Sequence, residues 1–114
     1  MDNAIQDKSF RFAVRIVNLC RYLQTEQKEY ILTKQLLKSG TSIGANVSES
    51  QQAQSRPDFI NKLNIALKEA YETNYWLRLL HETSFLTDDE FQSIVTDCQE
   101  LERLLISIIK TSKE

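Results

Sequence analysis

Between Phe59 and Phe85 the apolar residues recur at the spacing of an α-helix, and they do so on two sides. At 100° per residue Phe59, Leu63, Ala66, Leu67, Ala70, Asn74, Leu77 and His81 fall on one face. Ile65, Glu69, Glu72, Tyr75, Trp76 and Leu79 fall roughly opposite. One stripe can fill the core of a bundle. The second needs its own cover, because an extended exposed apolar patch marks a contact site. Such a chain is constrained to be helical, and it is expected to assemble.

The remaining sequence divides into three more helices. The first is predicted from Ala4 to Thr25, with Ile5, Phe12, Ile16, Leu19 and Leu23 as its core stripe. Phe10, Val14 and Val17 form a shorter apolar stripe on its far side. The second is predicted from Gln27 to Gln54, carried by Leu32, Leu36, Ser39, Ile43, Val47 and Ser50. Its middle, Ser39 to Asn46, has poor helix propensity and admits a loop as the alternative. The helix is preferred because the stripe keeps its phase through Gly40 and Gly44, with a kink expected near one of them. Ser55-Arg56-Pro57-Asp58 restarts the chain with a proline in the first turn and a capping pattern. That third helix runs to about Thr83. Thr87-Asp88-Asp89-Glu90 is a clearer capping box, with its acids set against the helix dipole. The fourth helix follows with Phe91, Ile94, Cys98, Leu101, Leu105, Ile108 and Ser112 inward. Short links between helices of similar length make neighbours antiparallel. The fold expected is therefore all-α, an antiparallel up-down-up-down four-helix bundle, with residues 1–114 as a single domain.

With two glycines and one proline in 114 residues, little interrupts these helices. No apolar run approaches the roughly 18 residues of a membrane span, so no membrane partner is expected. Met1 to Lys8 lacks the charged-then-apolar layout of a signal peptide, which makes cytoplasmic the expected location. Cys20 and Cys98 read as buried free thiols, with a disulfide or metal pair as the other reading.

Few groups offer chemistry. The only histidine, His81, sits on the core face near the end of the third helix, so a structural role at the bundle end is preferred to catalysis. A di-iron bundle needs Glu-x-x-His repeats, and the residue three before His81 is Arg78. Nothing calls for a metal or a cofactor, and no enzyme is expected. Ser42, Asn46 and Glu49 line one edge of the second helix, while Glu69 and Glu72 flank Trp76 on the third. Carboxylates among apolar residues are costly unless paired. A structural hydrogen-bond and ion-pair network is the favoured reading, ahead of solvated rim residues and of a carboxylate active site. Arg11, Arg15 and Arg78 are the candidate counter-charges.

Net charge is −2, unevenly spread. Residues 1–57 carry eight Lys/Arg against five Asp/Glu, and residues 58–114 carry six against eleven. An acidic chain argues against a dedicated nucleic-acid binder. A local basic face remains open on Lys8, Arg11 and Arg15, joined by Lys34 and Lys38.

The run Ser39-Gly-Thr-Ser-Ile-Gly-Ala-Asn-Val-Ser-Glu-Ser50, then Asp58-Phe59, then Ile65-Ala-Leu-Lys-Glu-Ala-Tyr-Glu-Thr-Asn-Tyr-Trp-Leu77, resembles the four-helix-bundle proteins encoded in intervening sequences of bacterial 23S ribosomal RNA genes. An opening of the Phe12-Ala-Val-Arg15 type also fits, so the resemblance spans nearly the whole chain. That family is similar in fold to the accessory variability proteins of diversity-generating retroelements, which form pentameric rings and bind nucleic acid through positive surface. The resemblance implies a ring-like homo-oligomer, a pentamer, without enzymatic activity, and RNA or an RNA-associated protein as partner. It carries Asn46, Glu49, Glu69, Glu72 and Trp76 over as structural or interface positions only. Ile65, Ser42, Tyr75 and Leu79 join them from the stripe argument. The chain departs from the nucleic-acid-binding relatives in its negative charge, since phosphate affinity rests on many Lys/Arg contacts.

Overall fold

The computed structural model describes residues 4–114, so the first three residues of the signal-peptide reading lie outside it. Four helices follow one another: α1 (Ala4–Glu26), α2 (Leu32–Ser50), α3 (Arg56–Glu82) and α4 (Asp88–Lys113). Five-residue links join them, residues 27–31, 51–55 and 83–87. Each helix packs on its sequence neighbours, and α4 closes on α1, giving a bundle of 45 × 20 × 18 Å. The expected antiparallel four-helix architecture is what the chain adopts.

Local chemistry explains most boundaries. The Ser55 hydroxyl accepts from Asp58 N at 3.1 Å, with Pro57 in the first turn where no N–H is needed. The Asp58 carboxylate reaches Gln54 N rather than closing the box on Ser55. At α4 the box is complete: Glu90 N donates to Thr87 Oγ1 at 3.1 Å, and Thr87 N donates to Glu90 Oε1 at 2.8 Å. Helices α1 and α3 end in the same way. Lys28 and Ser84 take left-handed φ of 56° and 69°. Glu29 N and Phe85 N then return to the carbonyls of Leu23 and Leu80.

The second helix begins later and ends sooner than its periodicity predicts, at Leu32 and Ser50 instead of Gln27 and Gln54. The reversal at Lys28 consumes the first residues. Glu29 then supplies the missing cap from two to four residues ahead: its carboxylate accepts from Ile31 N and Leu32 N at 3.0 Å and from Thr33 N at 2.7 Å. Burial pushes this carboxyl up, but the Leu32, Thr33 and Ile31 amides and the Thr33 hydroxyl outweigh it and hold it below the ordinary glutamate value. A depressed carboxyl contributes stability that is complete above its unfolded-chain pKa and lost as pH falls through the folded one. Glu29→Ala is expected to cost about 1–2 kcal/mol at neutral pH and to flatten the acid limb of the stability curve. Urea unfolding midpoints measured from pH 7 down to pH 3 check both effects.

Through Gly40 and Gly44 α2 is one unbroken helix. These glycines let α1 come close. A Cβ on Gly40 would lie 2.8 Å from Ile16 Cγ1, and one on Gly44 would lie 3.2 Å from the Ser9 carbonyl oxygen.

The core of α3 is rotated by about one side chain from the expected stripe. Leu63, Ala66, Ala70, Thr73, Leu77 and Leu80 are buried, whereas Phe59, Leu67, Asn74 and His81 stand at the margin. Thr73 turns inward because its hydroxyl meets Ser39 Oγ at 2.9 Å and lies 2.7 Å from the Glu69 carbonyl, so no polar atom is stranded. In α4 the same small rotation buries Val95 and Ile109 and leaves Phe91, Ile108 and Ser112 half-buried.

Cys20 and Cys98 are both buried free thiols. Each Sγ reaches a carbonyl of another segment, Thr33 O at 3.5 Å and Ala70 O at 3.3 Å. Burial, then Glu29, pushes the Cys20 thiol up to about 12, and burial, then Glu102, pushes Cys98 higher. Neither presents a thiolate near neutrality. Iodoacetamide at pH 8 is therefore expected to leave the folded chain unlabelled and to modify both cysteines in 6 M guanidinium, as read by intact-mass spectrometry.

Candidate interaction faces

The polar residues singled out on α2 and α3 lie along the α2–α3 edge and bond mostly within their own helix, with one ion pair across it. Ser42 Oγ donates to Lys38 O at 2.6 Å, and Asn46 Nδ2 donates to Ser42 O at 2.8 Å, both along α2 itself. Glu49 takes Lys62 at 3.1 Å as its counter-charge. Glu72 accepts from Trp76 Nε1 at 3.1 Å, one turn along α3. The Glu69 carboxyl is raised by burial, then by Glu72, while Lys38 lowers it. Lys38 therefore faces α3 across this edge.

None of the proposed arginines reaches these carboxylates. Arg15 pairs with Asp97 at 2.6 Å and also bonds Ser93, while Arg11 pairs with Asp7 at 3.1 Å. Arg78 Nε donates to the Asn74 side chain and its guanidinium lies 5.9 Å from the Tyr75 ring centroid. Sequence separation explains the error: the partners of Arg15 are 78 and 82 residues away, on a helix whose rotation only packing decides.

The basic flank of α1 is engaged as well. Lys8 pairs with Glu100 at 2.9 Å, so Lys8 and Arg15 tie α1 to α4. Lys34 and Lys38 are exposed on α2. The five cations are thus split between the α1–α4 edge and the far side of the bundle. His81 sits where a structural histidine was expected, 2.7 Å from Asp88 and stacked on Phe91 at 4.3 Å.

Exposed apolar groups stand on the outer faces of α1 and α3, with Tyr30 and Ile31 in the first link and Ile106 on α4. Phe10 is 70% exposed, Val14 45%, and Tyr71 and Tyr75 50% each. Trp76, by contrast, is half-buried against the core, and Ile65 and Leu79 are half-buried too. The indole is therefore less displayed than the two-stripe reading implies, because α3 turns that edge toward α2. Tyr71 escaped the sequence reading, although it lies four residues before Tyr75 on the same outer line. Between α1 and α2 runs a groove of about 700 Å³, bounded by Phe10 and Ala13 on one wall and by Thr41, Gly44, Ala45 and Ser48 on the other. Glu49, Glu69 and Glu72 line none of the principal grooves. Among the described residues no three His, Cys, Asp or Glu side chains are grouped to hold a metal, and no helix is long and apolar enough to cross a membrane.

Comparison with known proteins places this architecture. The profile described as 23S rRNA-intervening sequence protein matches residues 1–107. A crystal structure of a protein of unknown function from the S23 ribosomal protein family of Bacteroides thetaiotaomicron is 62% identical in sequence, with a TM-score of 0.92. The likeness covers 93% of this chain and 98% of that one. No curated protein matches the chain.

Proposed function

The chain belongs to the 23S rRNA-intervening sequence protein family, and on that footing we propose that it is a non-catalytic bundle that works by assembling with copies of itself. The product is a ring-like homo-oligomer, a pentamer by the resemblance set out above, serving as a scaffold for RNA or an RNA-associated protein in the cytoplasm. The observation that carries this reading is the pair of outer faces on α1 and α3, where Phe10, Val14, Tyr71 and Tyr75 stand in solvent. Large exposed aromatics are the residues that dominate protein interfaces. The separate pairing of Glu49 and Glu72 supports a structural role for the carboxylates over an active site.

Native mass spectrometry of protein taken from cells tests the proposal, since it reads copy number and retained nucleic acid together. Several copies are expected, and a single copy at tens of micromolar overturns it. Tyr71→Ser and Tyr75→Ser are each expected to shift the assembly toward monomer, at about 1.5–3 kcal/mol per apolar side chain lost from each interface. Sedimentation velocity that finds both variants fully assembled contradicts the placing of this α3 edge in the interface.

A nucleic-acid-binding ring is the second reading, favoured by Lys34, which is exposed and without an ion pair among the described residues. Against it, Lys8, Arg11 and Arg15 must each exchange a carboxylate for phosphate, on a ring that carries about −10 if five copies assemble. A gel shift of single-stranded RNA at about 50 mM salt, abolished by Arg11→Ala with Arg15→Ala, supports this second reading, and its absence removes it.

A further inference from the structure

The outer lines of α1 and α3 carry the same spacing with opposite end charges. On α1, Asp7 is followed by Phe10, Val14 and Arg21 at three, seven and fourteen residues. On α3, Lys68 is followed by Tyr71, Tyr75 and Glu82 at the same three intervals. At 100° per residue each set falls within a stripe about 60° wide, and each spans about 21 Å along its helix. Both lines are solvent-facing. Phe10, Val14, Tyr71 and Tyr75 are exposed, and so are Asp7, Arg21, Lys68 and Glu82. Among the described residues Arg21, Lys68 and Glu82 have no ion pair, and Asp7 has only its surface contact with Arg11, a kind of pair that holds weakly.

We propose that α3 of one copy seats parallel against the α1–α2 groove of the next, setting Lys68 beside Asp7, Tyr71 and Tyr75 against Phe10 and Val14, and Glu82 beside Arg21. This rests on the self-assembly reading above and names the two surfaces that perform it. The occupant is a second copy because only the α3 line offers both the matching charges and the matching intervals. An antiparallel seating would bring Lys68 to Arg21 and Glu82 to Asp7, like charge on like. The α2 wall is built of Thr41, Gly44, Ala45 and Ser48, low enough for a phenol ring to lie over it. Helices α1 and α3 run the same way and sit at diagonal corners of the bundle, with no close backbone approach between them among the described residues. The two surfaces therefore face apart, so the contact is heterologous, and repeated it closes into a ring or continues as a filament. Parallel seating keeps all copies pointing one way, as a ring about the long axis requires.

The test is complementation between two variants that each spoil one surface. Phe10→Asp damages the groove and Tyr75→Asp damages the α3 line, and neither side chain belongs to the buried core. Circular dichroism checks that both variants fold. Alone, each is expected to be monomeric by sedimentation velocity. Mixed, they are expected to give a two-copy complex with one of each, and nothing larger, because the intact line of one meets the intact groove of the other. Arg21→Glu is expected to weaken assembly, and adding Glu82→Arg in the same chain to restore it. A mixture that stays monomeric, or either Asp variant that keeps the wild-type copy number, overturns this pairing while leaving self-assembly standing. A monomeric wild type overturns both.

Discussion

Phe12→Ala is expected to lower unfolding stability by about 3–5 kcal/mol, the largest effect of any single truncation considered. Phe12 is 2% exposed and belongs to the one continuous core shared by all four helices. It faces inward from α1, which is held to α4 at its flank by the Lys8–Glu100 and Arg15–Asp97 pairs. Those pairs are partly exposed and contribute little each, so they cannot hold the α1–α4 seam once its apolar filling is gone. A domain of this size has about 5–15 kcal/mol in total. The variant is therefore expected to unfold at a much lower urea midpoint and to resist proteolysis poorly at 37 °C. An unchanged midpoint would mean that α1 is not a structural member of the core.

Gly40→Val is expected to be the second most damaging change, at about 3 kcal/mol, through overpacking rather than a void. A Cβ at this position would stand 2.8 Å from both Cγ1 and Cγ2 of Ile16 and 3.3 Å from its Cβ. Ile16 is fully buried and has nowhere to swing. Removing a glycine from a helix interior returns roughly 1 kcal/mol, so Gly40→Ala is expected to lose less than the valine variant, which adds two methyl groups beyond that Cβ. Trimming the neighbour gives the decisive control. Gly40→Ala combined with Ile16→Ala, which removes both γ carbons, is expected to cost less than the sum of the two single variants, and calorimetric Tm values for the single and double variants measure the coupling. Strict additivity would refute the close α1–α2 approach.

Such a close approach suits the sequence, because Ser39 to Asn46 is a row of small residues that keeps helical phase. The starts of α3 and α4 were legible in advance. Pro57, the Ser55 cap and the Thr87–Glu90 box act over three or four residues, within the reach of sequence reasoning. The start of α2 was not, because its cap comes from Glu29, a residue the periodicity assigned to the helix itself. Thr73 and Leu80 were missed for a different reason. A stripe of period 3.6 defines a face only to within a side chain on either side, and Asn74 and His81 fill the neighbouring places as well on paper. Packing against α2 decides between them, since Ser39 waits there to meet the Thr73 hydroxyl.

The candidate faces divide along the same line. Repeats of Phe10 with Val14, and of Tyr75 with Ile65 and Leu79, identify apolar material in excess of one core. Whether that material is displayed or folded back is set by how each helix turns about its own axis. Rotation of α3 toward α2 half-buries Trp76 and leaves Tyr71 and Tyr75 outside. By itself the sequence determined that the chain is helical, where α3 and α4 begin, and that two helices carry a second stripe, because capping and periodicity are local interactions. The tertiary structure alone decided that Lys8 and Arg15 answer Glu100 and Asp97, that Glu49 answers Lys62, and which aromatic rings remain in water. Those outcomes depend on the mutual rotation of packed helices, and that rotation is set by side-chain volumes brought together from opposite ends of the chain.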